Sequence, residues 1–319
     1  MTDDRKVAEL LRDMPTNWNR WGPDDEIGSL NYLTPEEVLR GIRSVRQGKV
    51  FTLGVVIGSP TGDPVWPGRS GATKLMTQDK GHYLSHKLQA APGGLEYADD
   101  YITMFLQGTT QFDALGHTWY DDKIWNGYDA GTTIGGMDKA SVLPIAQHGV
   151  VGRAVLLDIA RHRGKPYLDR GETFGLDDLL SCAERQGVTI EKHDILILRT
   201  GWLKIFYEQG PATFYGDSFN EPGLAFSPEL VKWFHETEIP VLATDTIANE
   251  TTVDPESGAL LVLHNALMRN LGVLFNEILW LEDLAADCAA DGQYAFLYAG
   301  SPLKVYRGTG APVNPVAVK

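Results

Sequence analysis

The chain has 319 residues, of which 43% are hydrophobic and 22% are charged, and its formal net charge at pH 7 is −14. This composition excludes an intrinsically disordered chain, because enough apolar side chains are present to bury a sizeable core. The sequence contains no dense cluster of Lys and Arg, which excludes a phosphate-binding surface for nucleic acid.

The sequence also argues against membrane association. Its longest apolar stretches, such as Val150–Ile159, are interrupted well short of the roughly 20 residues that a membrane span needs. The residues Met1–Val7 are acidic and polar, unlike the basic and apolar regions of a secretory signal. We therefore expect a cytoplasmic protein. Cys182 and Cys288 lack the spacing of a disulfide or thiolate site, so we expect buried free thiols.

In the first half of the chain, a few short regular elements are predicted between loops. Thr34–Glu37 has the pattern of a capping box with proline at the first helical position, and it predicts a helix over Val38–Gln47. Val50–Ile57 and Tyr101–Leu106 have the composition of strands. Gly and Pro are concentrated in Gly58–Gly71, which predicts a long loop.

In the second half of the chain, predicted strands alternate with predicted helices. Continuous apolar runs predict buried strands, whereas apolar residues at helical spacing predict amphipathic helices. The predicted strands are Gly149–Asp158, Asp194–Arg199, Val241–Ala243, Val273–Phe275 and Tyr294–Tyr298. The predicted helices are Leu176–Gln186, Ser227–Glu236 and Leu260–Asn270. This alternation predicts an α/β architecture.

The segment Gln107–His117 (QGTTQFDALGH) is the most informative one for function. On an extended strand, Gln111 and Asp113 share one face, because side chains alternate with a period of two. A carboxylate near amide oxygens and an imidazole suits a divalent cation such as Zn²⁺ or Mn²⁺. The alternative is a structural role, in which Asp113 caps a helix and His117 bonds to the backbone.

A second group of candidate residues lies in His264–Glu277. His264 occurs at the start of an apolar helix, and Glu277 follows a strand-like segment. Each residue taken alone also fits a structural role, His264 as a core histidine and Glu277 as a helix cap. Spacing alone does not decide between a structural role and metal binding.

The order of these motifs resembles that of the cyclase-like metal-dependent hydrolases, which include bacterial kynurenine formamidase and isatin hydrolase. Gln107–His117 resembles the family motif His-x-Gly-Thr-His-x-Asp-x-Pro-x-His, and Asn17–Asn31 resembles the N-terminal motif of the longer members. Later blocks that match in order are Asn126–Gly127, Gly149–Asp158, Asp194–Trp202, Asp245–Glu250 and His264–Glu277. The resemblance implies one swivelling β/β/α domain over residues 1–319, with an N-terminal extension of about residues 1–48.

The resemblance also implies a role for each matched residue. Asp113, His264 and Glu277 correspond to metal ligands, and His117 corresponds to the general acid/base. Gln107 and Gln111 replace the first two histidines of the motif. A glutamine offers only a neutral carbonyl oxygen, which binds Zn²⁺ less well than imidazole does.

We therefore expect one divalent metal ion, Zn²⁺ or Mn²⁺, with Gln111 as an additional oxygen ligand. The longer family members often carry the same Thr-Thr-Gln-x-Asp variant, so the change need not mean loss of activity. The resemblance also implies a homodimer or homotetramer.

The expected activity is hydrolysis of a small cyclic or aryl amide, lactam or lactone. A divalent cation lowers the pKa of water and polarises a carbonyl group, and His117 is expected to transfer protons. Aromatic side chains near the site in sequence suit a flat or cyclic substrate. The residues predicted to contact the substrate are Trp21, Gln107, Phe112, Trp119 and Glu250.

Two other functions stay open at the level of the sequence. The first is a metal-assisted lyase or cyclase acting on a ring, which labelling in ¹⁸O-water distinguishes from a hydrolase. The second is a non-catalytic small-molecule binding protein, which the two glutamines motivate and which predicts neither metal nor turnover. No Gly-x-Ser-x-Gly motif is present, which disfavours a serine hydrolase of the α/β type.

Overall fold

The computed structural model describes residues 6–319, so residues 1–5, which contribute to the expectation about the N-terminus, lie outside the described residues. Among the described residues, no helix combines the length and the apolar character that crossing a membrane requires. Cys182 and Cys288 are both buried and free, as their spacing predicted.

The strands form one large sheet and two small ones. In chain order, strands β1 to β13 span Val50–Thr52, Thr73–Gln78, Asp99–Thr103, Gln111–Asp113, Val151–Asp158, Thr173–Phe174, Ile195–Arg199, Gly223–Leu224, Val241–Thr244, Leu274–Glu277, Ala295–Ala299, Gly310–Pro312 and Val316–Val318. The large sheet has nine strands in the order β1-β13-β11-β5-β7-β9-β10-β4-β12. β2 pairs with β3, and β6 pairs with β8, as two-stranded sheets.

The centre of the large sheet consists of four parallel strands, β5, β7, β9 and β10. These strands are almost entirely buried, as expected for parallel strands covered on both faces. Their carboxyl ends lie at one edge of the sheet, the C-terminal edge, where Asp158, Arg199 and Glu277 end their strands. β4 runs antiparallel to β10 and brings its first residue, Gln111, to the same edge.

Helices cover the sheet and connect its strands. In chain order, helices α1 to α10 span Lys6–Leu10, Pro35–Arg43, Lys80–Leu84, Val142–His148, Ile159–His162, Leu176–Gln186, Trp202–Glu208, Pro211–Tyr215, Pro228–Thr237 and Glu282–Asp291. Short 3₁₀ helices span Gly28–Tyr32, Trp125–Gly127 and Ala130–Thr133, and a π-helix spans His264–Arg269. α2 packs against β5 and β11, α6 against β5, and α9 against α6 and the π-helix.

The predicted α/β architecture is confirmed, and the buried elements agree best with their expected bounds. α6 has the predicted bounds, and it ends at Gly187, which adopts the left-handed conformation (φ 66°) that favours glycine at a helix end. The predicted strand Asp194–Arg199 begins one residue later, at Ile195. β7 is buried throughout, and α6 buries Leu179, Cys182 and Ala183 while Leu180 is exposed, so the hydrophobic pattern and the burial largely coincide.

The predicted strand Val50–Ile57 is too long, because only β1 has strand geometry. The backbone of Leu53 bonds to two different segments, since its amide donates to Pro315 and its carbonyl accepts from Trp280. The amide of Val55 instead donates to the Thr110 hydroxyl. The segment after β1 is therefore held in place without a continuous strand partner.

The helix predicted after Thr34 forms, but the capping box does not. The Thr34 hydroxyl donates to the Glu36 carboxylate (2.7 Å) and makes no capping bond to the helix backbone. α2 begins at Pro35 and ends at Arg43, short of the predicted end at Gln47.

Candidate metal centre

Three side chains with metal-binding atoms converge near the C-terminal edge of the large sheet. Asp113 ends β4, Glu277 ends β10, and His264 is the first residue of the π-helix. One ligand atom from each residue lies within 4.8 Å of the other two, and all three residues are buried. His264 Nε2 is 3.9 Å from Asp113 Oδ2 and 3.5 Å from Glu277 Oε1. The two segments that the sequence singled out therefore meet at one point.

Strand pairing explains why these side chains face one another. Glu277 of β10 lies directly opposite Gln111 of β4. Side chains at directly opposed positions point to the same face of a sheet, and Asp113, two residues beyond Gln111, shares that face. The ring of His264 packs edge-on against Phe275 at 4.8 Å, two residues before Glu277 on the same strand. A shift of β4 by one residue would turn Asp113 away from the site.

Glu250 holds His264 in a defined orientation. Glu250 Oε1 accepts from the His264 backbone amide (2.7 Å) and lies 2.6 Å from its Nδ1, while Oε2 accepts from the Leu263 amide (2.7 Å). A carboxylate can only accept, so the Nδ1–H of His264 donates to Glu250 and Nε2 faces Asp113 and Glu277. Carboxylates commonly orient metal-binding histidines in this way.

Replacing Glu250 by glutamine is expected to weaken metal binding about 10- to 100-fold, because the imidazole loses its charged partner. Competition with a chromogenic chelator would measure the affinity for Zn²⁺ and Mn²⁺. Glu229→Gln, a change at an exposed position of α9, is the matched control and is expected to bind metal like the wild type. Equal affinities of the Glu250→Gln variant and the wild type would exclude this role for Glu250.

Several oxygen atoms at the centre lack a hydrogen-bond donor. Gln111 Oε1, Asp113 Oδ1 and Glu277 Oε1 are buried, and each has no hydrogen-bond partner. A buried polar atom without a partner costs roughly 1–3 kcal/mol. Gln111 Nε2 donates to Glu277 Oε2 (2.7 Å), which aligns the two side chains. Two carboxylates, an imidazole and an amide oxygen form a donor set that suits a borderline divalent cation, so the residues present fit Zn²⁺ or Mn²⁺.

The electrostatics of the centre agree with cation binding. Burial raises the pKa of Glu277 and the nearby Asp113 carboxylate raises it further, although His264 opposes both effects. Burial lowers the pKa of His264, but the hydrogen bond to Glu250 and the nearby carboxylates of Glu250 and Glu277 outweigh burial and raise the pKa to about 10. These acidic surroundings hold a proton on His264, and a divalent cation would compete with that proton for the same atoms.

His117 lies beside the three convergent side chains. Its Nε2 is 3.8 Å from Asp113 Oδ2, and its side chain is 23% exposed. Burial lowers the pKa of His117, Asp113 raises it, and His264 and Arg69 lower it, so that the net pKa is below the ordinary value. The imidazole is therefore neutral near pH 7, and one of its nitrogen atoms can accept a proton.

Two residues predicted to contact the substrate occupy other positions. Phe112 is fully buried in the core, because it points to the face of β4 opposite to Gln111 and Asp113. Glu250 is 2% exposed and uses both carboxylate oxygens to bind His264 and the adjacent backbone. The predictions of substrate contact for Phe112 and Glu250 are therefore wrong.

Trp21 lies away from the three convergent side chains, and its contact with a substrate stays a prediction. Trp21 packs edge-to-face on Tyr32 (5.1 Å between ring centroids), and Tyr32 stacks on His193 (5.1 Å). His193 precedes β7, so Trp21 lies near the amino ends of the parallel strands. Glu277 lies at the other edge of the sheet, where the strands end.

Gln107 lies beside His117, and Trp119 is a partly exposed residue that follows His117 in the sequence. Gln107 Nε2 donates to the Thr309 carbonyl (2.9 Å) and lies 3.5 Å from His117 Nδ1. Trp119 is 44% exposed and follows His117 by two positions. Contact of either residue with a substrate stays a prediction.

Arg69 is a neighbour of the centre that the sequence did not indicate. Its guanidinium donates to the Gln107 carbonyl (3.1 Å), and its positive charge lowers the pKa values of both His117 and Glu277. Arg69 lies in the predicted long loop Gly58–Gly71, which contains no motif. Only the path of this loop over the sheet brings the arginine near the centre.

A further buried carboxyl group, Glu221, lies close to the same region. Both of its oxygens accept from the Ile247 amide (3.0 and 2.9 Å), and within residues 6–319 it has no cationic partner. Burial raises the pKa of Glu221 well above its usual range, and Glu277 and Asp245 contribute to the rise against the opposing Ile247 amide. The folded protein therefore retains this proton to a higher pH than the unfolded chain does.

We expect Glu221→Gln to stabilise the protein increasingly as the pH rises. Above the unfolded pKa, near 4.5, the native state holds more protons than the unfolded state, so the wild type loses stability with rising pH up to the folded pKa. The variant lacks this ionisation, and its advantage should grow by about 1.4 kcal/mol per pH unit over that interval. Urea unfolding of both proteins at pH 5 and pH 8 checks this. A stability difference that is the same at both pH values would contradict the expectation.

Comparison with known families and structures extends these observations. A family model described as “Putative cyclase” matches residues 51–251. No curated protein sequence matches the chain. A crystal structure of a novel cyclase is 36% identical in sequence, with a TM-score of 0.85, and the match covers 96% of this chain and 98% of that one.

Two isatin hydrolase structures are similar in fold at lower sequence identity. Isatin hydrolase A from Labrenzia aggregata, bound to benzyl benzoate, is 20% identical with a TM-score of 0.58, over 91% of this chain and 98% of that one. Isatin hydrolase A from Ralstonia solanacearum is 20% identical with a TM-score of 0.57, over 84% of this chain and 91% of that one. These matches, together with the cyclase structure, confirm the predicted cyclase-like fold.

Proposed function

The chain belongs to the Cyclase family, and from this premise we propose that it is a metal-dependent hydrolase that opens a small cyclic or aryl amide, lactam or lactone. The convergence of Asp113, His264 and Glu277, with three buried oxygen atoms that lack donors, is the observation that carries the proposal. The similarity in fold to isatin hydrolases is consistent with it.

The residues that would hold the metal are Asp113, His264 and Glu277, with Gln111 as an additional oxygen ligand. A divalent cation bound there would lower the pKa of water and polarise the carbonyl group of the substrate. Glu250 orients His264, and the strand pairing of β4 with β10 orients the two carboxylates. The protein thus contributes ligands that are already in place before the substrate binds.

His117 would transfer the protons that hydrolysis requires. A neutral imidazole accepts a proton from the attacking water and donates it to the leaving nitrogen or oxygen. The Asp113 carboxylate, 3.8 Å away, stabilises the imidazole while it carries the positive charge. The His117 side chain is 23% exposed, so part of it is open to a substrate.

The decisive experiment is metal analysis combined with an activity screen. Protein purified without chelator is expected to contain about one Zn²⁺ or Mn²⁺ per chain and to hydrolyse at least one of isatin, N-formylkynurenine and a dienelactone. A chelator should abolish the activity, and one of the two metals should restore it. Metal-free protein without turnover would contradict the proposal, and would favour a non-catalytic binding protein.

The domain organisation belongs to the same proposal. Residues 1–319 would form one domain, and the start of the family match at residue 51 supports an N-terminal extension of about residues 1–48. Analytical ultracentrifugation would test the expected homodimer or homotetramer.

A further inference from the structure

Arg69, whose guanidinium donates to the Gln107 carbonyl, lines a cavity of about 820 Å³. The loop of residues 58–72 forms one wall, and α7, α8 and the residues after α8 form the other. Four aromatic side chains line it, namely Trp66, Phe206, Tyr215 and Phe219. A cavity of this size with aromatic walls suits an organic molecule with one or two rings.

Two polar groups of the cavity wall are already engaged in shaping the loop. Asp63 accepts from the amides of Gly58 and Ala72 (2.7 Å each), which ties the two ends of the loop together. The Tyr215 hydroxyl accepts from the Val65 amide (2.9 Å) and donates to the Val65 carbonyl (2.7 Å). The Asp63 carboxylate and the Tyr215 hydroxyl therefore already make their hydrogen bonds within the protein.

Arg69 differs from these two groups, because most of its donors are free. It is half-buried, and it is the one cationic side chain among the residues that line the cavity. Its hydrogen bond to the Gln107 carbonyl uses one of the five N–H donors of a guanidinium group. In the described part of the chain, no carboxylate pairs with it.

Arg69 also connects the cavity to the candidate metal centre. The backbone carbonyl of Gln107 accepts from Arg69. The side chain of Gln107 reaches His117, with 3.5 Å between Gln107 Nε2 and His117 Nδ1. A ligand that reaches Arg69 from the cavity therefore comes next to Gln107, the residue that contacts His117. Both the planar guanidinium and its free donors match the geometry of a carboxylate.

We propose that Arg69 binds a carboxylate of the substrate while the aromatic part of the substrate occupies the cavity. The substrate class is then an aryl amide or lactone that carries an anionic group in addition to the bond that is cleaved. This inference rests on the proposed hydrolase function for the cleaved bond, but the binding of an aromatic carboxylate can be measured separately. The acidic residues of the protein, which include Asp63 and Asp217 in the same cavity wall, would otherwise disfavour an anionic ligand.

Binding of benzoate and benzamide to the metal-loaded protein tests the inference, because the two probes share a ring and differ in charge. Calorimetry is expected to show that Arg69→Met weakens benzoate binding about 10-fold or more and changes benzamide binding less than about 2-fold. Arg69→Lys should retain part of the benzoate affinity. Arg46→Met, which removes an exposed arginine, is the matched control and should change neither affinity. Metal content and thermal unfolding verify that each variant is folded.

Turnover of N-formylanthranilate and formanilide separates the inference from the proposed function. Wild type should prefer the anionic amide in kcat/KM, and Arg69→Met should lose that preference. Hydrolysis without any charge preference, or equal loss of benzoate and benzamide affinity, overturns the role of Arg69 and leaves the hydrolase function standing. An Arg69-dependent affinity for benzoate without hydrolysis of any amide or lactone supports the anion site and contradicts the hydrolase function.

Discussion

His117→Ala is expected to lower kcat about 10²–10⁴-fold and to leave the bound metal in place. The physical reason is that His117 lies beside Asp113 without belonging to the set of three convergent ligand atoms. Its loss removes a proton acceptor and donor while the two carboxylates and His264 stay intact. Steady-state kinetics and metal analysis of the same preparation measure both consequences.

The pH profile provides a second test of the same variant. Burial lowers the pKa of His117, so the wild type should keep its activity as the pH falls through 6.5 and lose it only at lower pH. His117→Ala should lose this acidic limb. His148→Ala, which removes an exposed histidine, is the matched control and should retain the profile. Loss of metal in parallel with activity would instead identify His117 as a ligand.

Glu277→Gln is expected to weaken metal binding by more than about 100-fold and to abolish turnover. The effect should exceed that of Glu250→Gln, because Glu277 is a metal ligand whereas Glu250 only orients the ligand His264. Glutamine has the shape of a protonated glutamate, and burial already raises the pKa of Glu277 toward the protonated form. The fold should therefore tolerate the substitution, and the loss should be confined to metal binding.

Thermal unfolding with and without metal distinguishes this outcome from misfolding. At a metal concentration of 100 times the wild-type Kd, the wild type should gain about 2.7 kcal/mol of stability, whereas the variant should gain less than about 0.5 kcal/mol. Glu229→Gln is again the matched control on an exposed surface. Retention of a full equivalent of metal by Glu277→Gln would remove Glu277 from the ligand set.

The sequence by itself determined the local structure wherever burial and periodicity coincide. The apolar runs of β5 and β7 and the amphipathic pattern of α6 predicted these elements closely, because burial of an apolar face stabilises the same local conformation that the pattern favours. The two-residue spacing of Gln111 and Asp113 also predicted that they share a face. This inference is local, since it requires only an extended backbone.

Only the tertiary structure decided which distant residues meet. The pairing of β4 with β10 brings Asp113 to Glu277, and the π-helix adds His264, but neither strand order nor register can be derived from the spacing within one segment. The wrong prediction for Phe112 has a local reason instead, because the alternation that places Gln111 and Asp113 on one face turns Phe112 to the other. The position of Trp21, which packs on Tyr32, depends on tertiary contacts between distant segments. The sequence did not indicate Arg69, because this residue belongs to no motif. The path of its loop brings the positive charge of Arg69 close to His117.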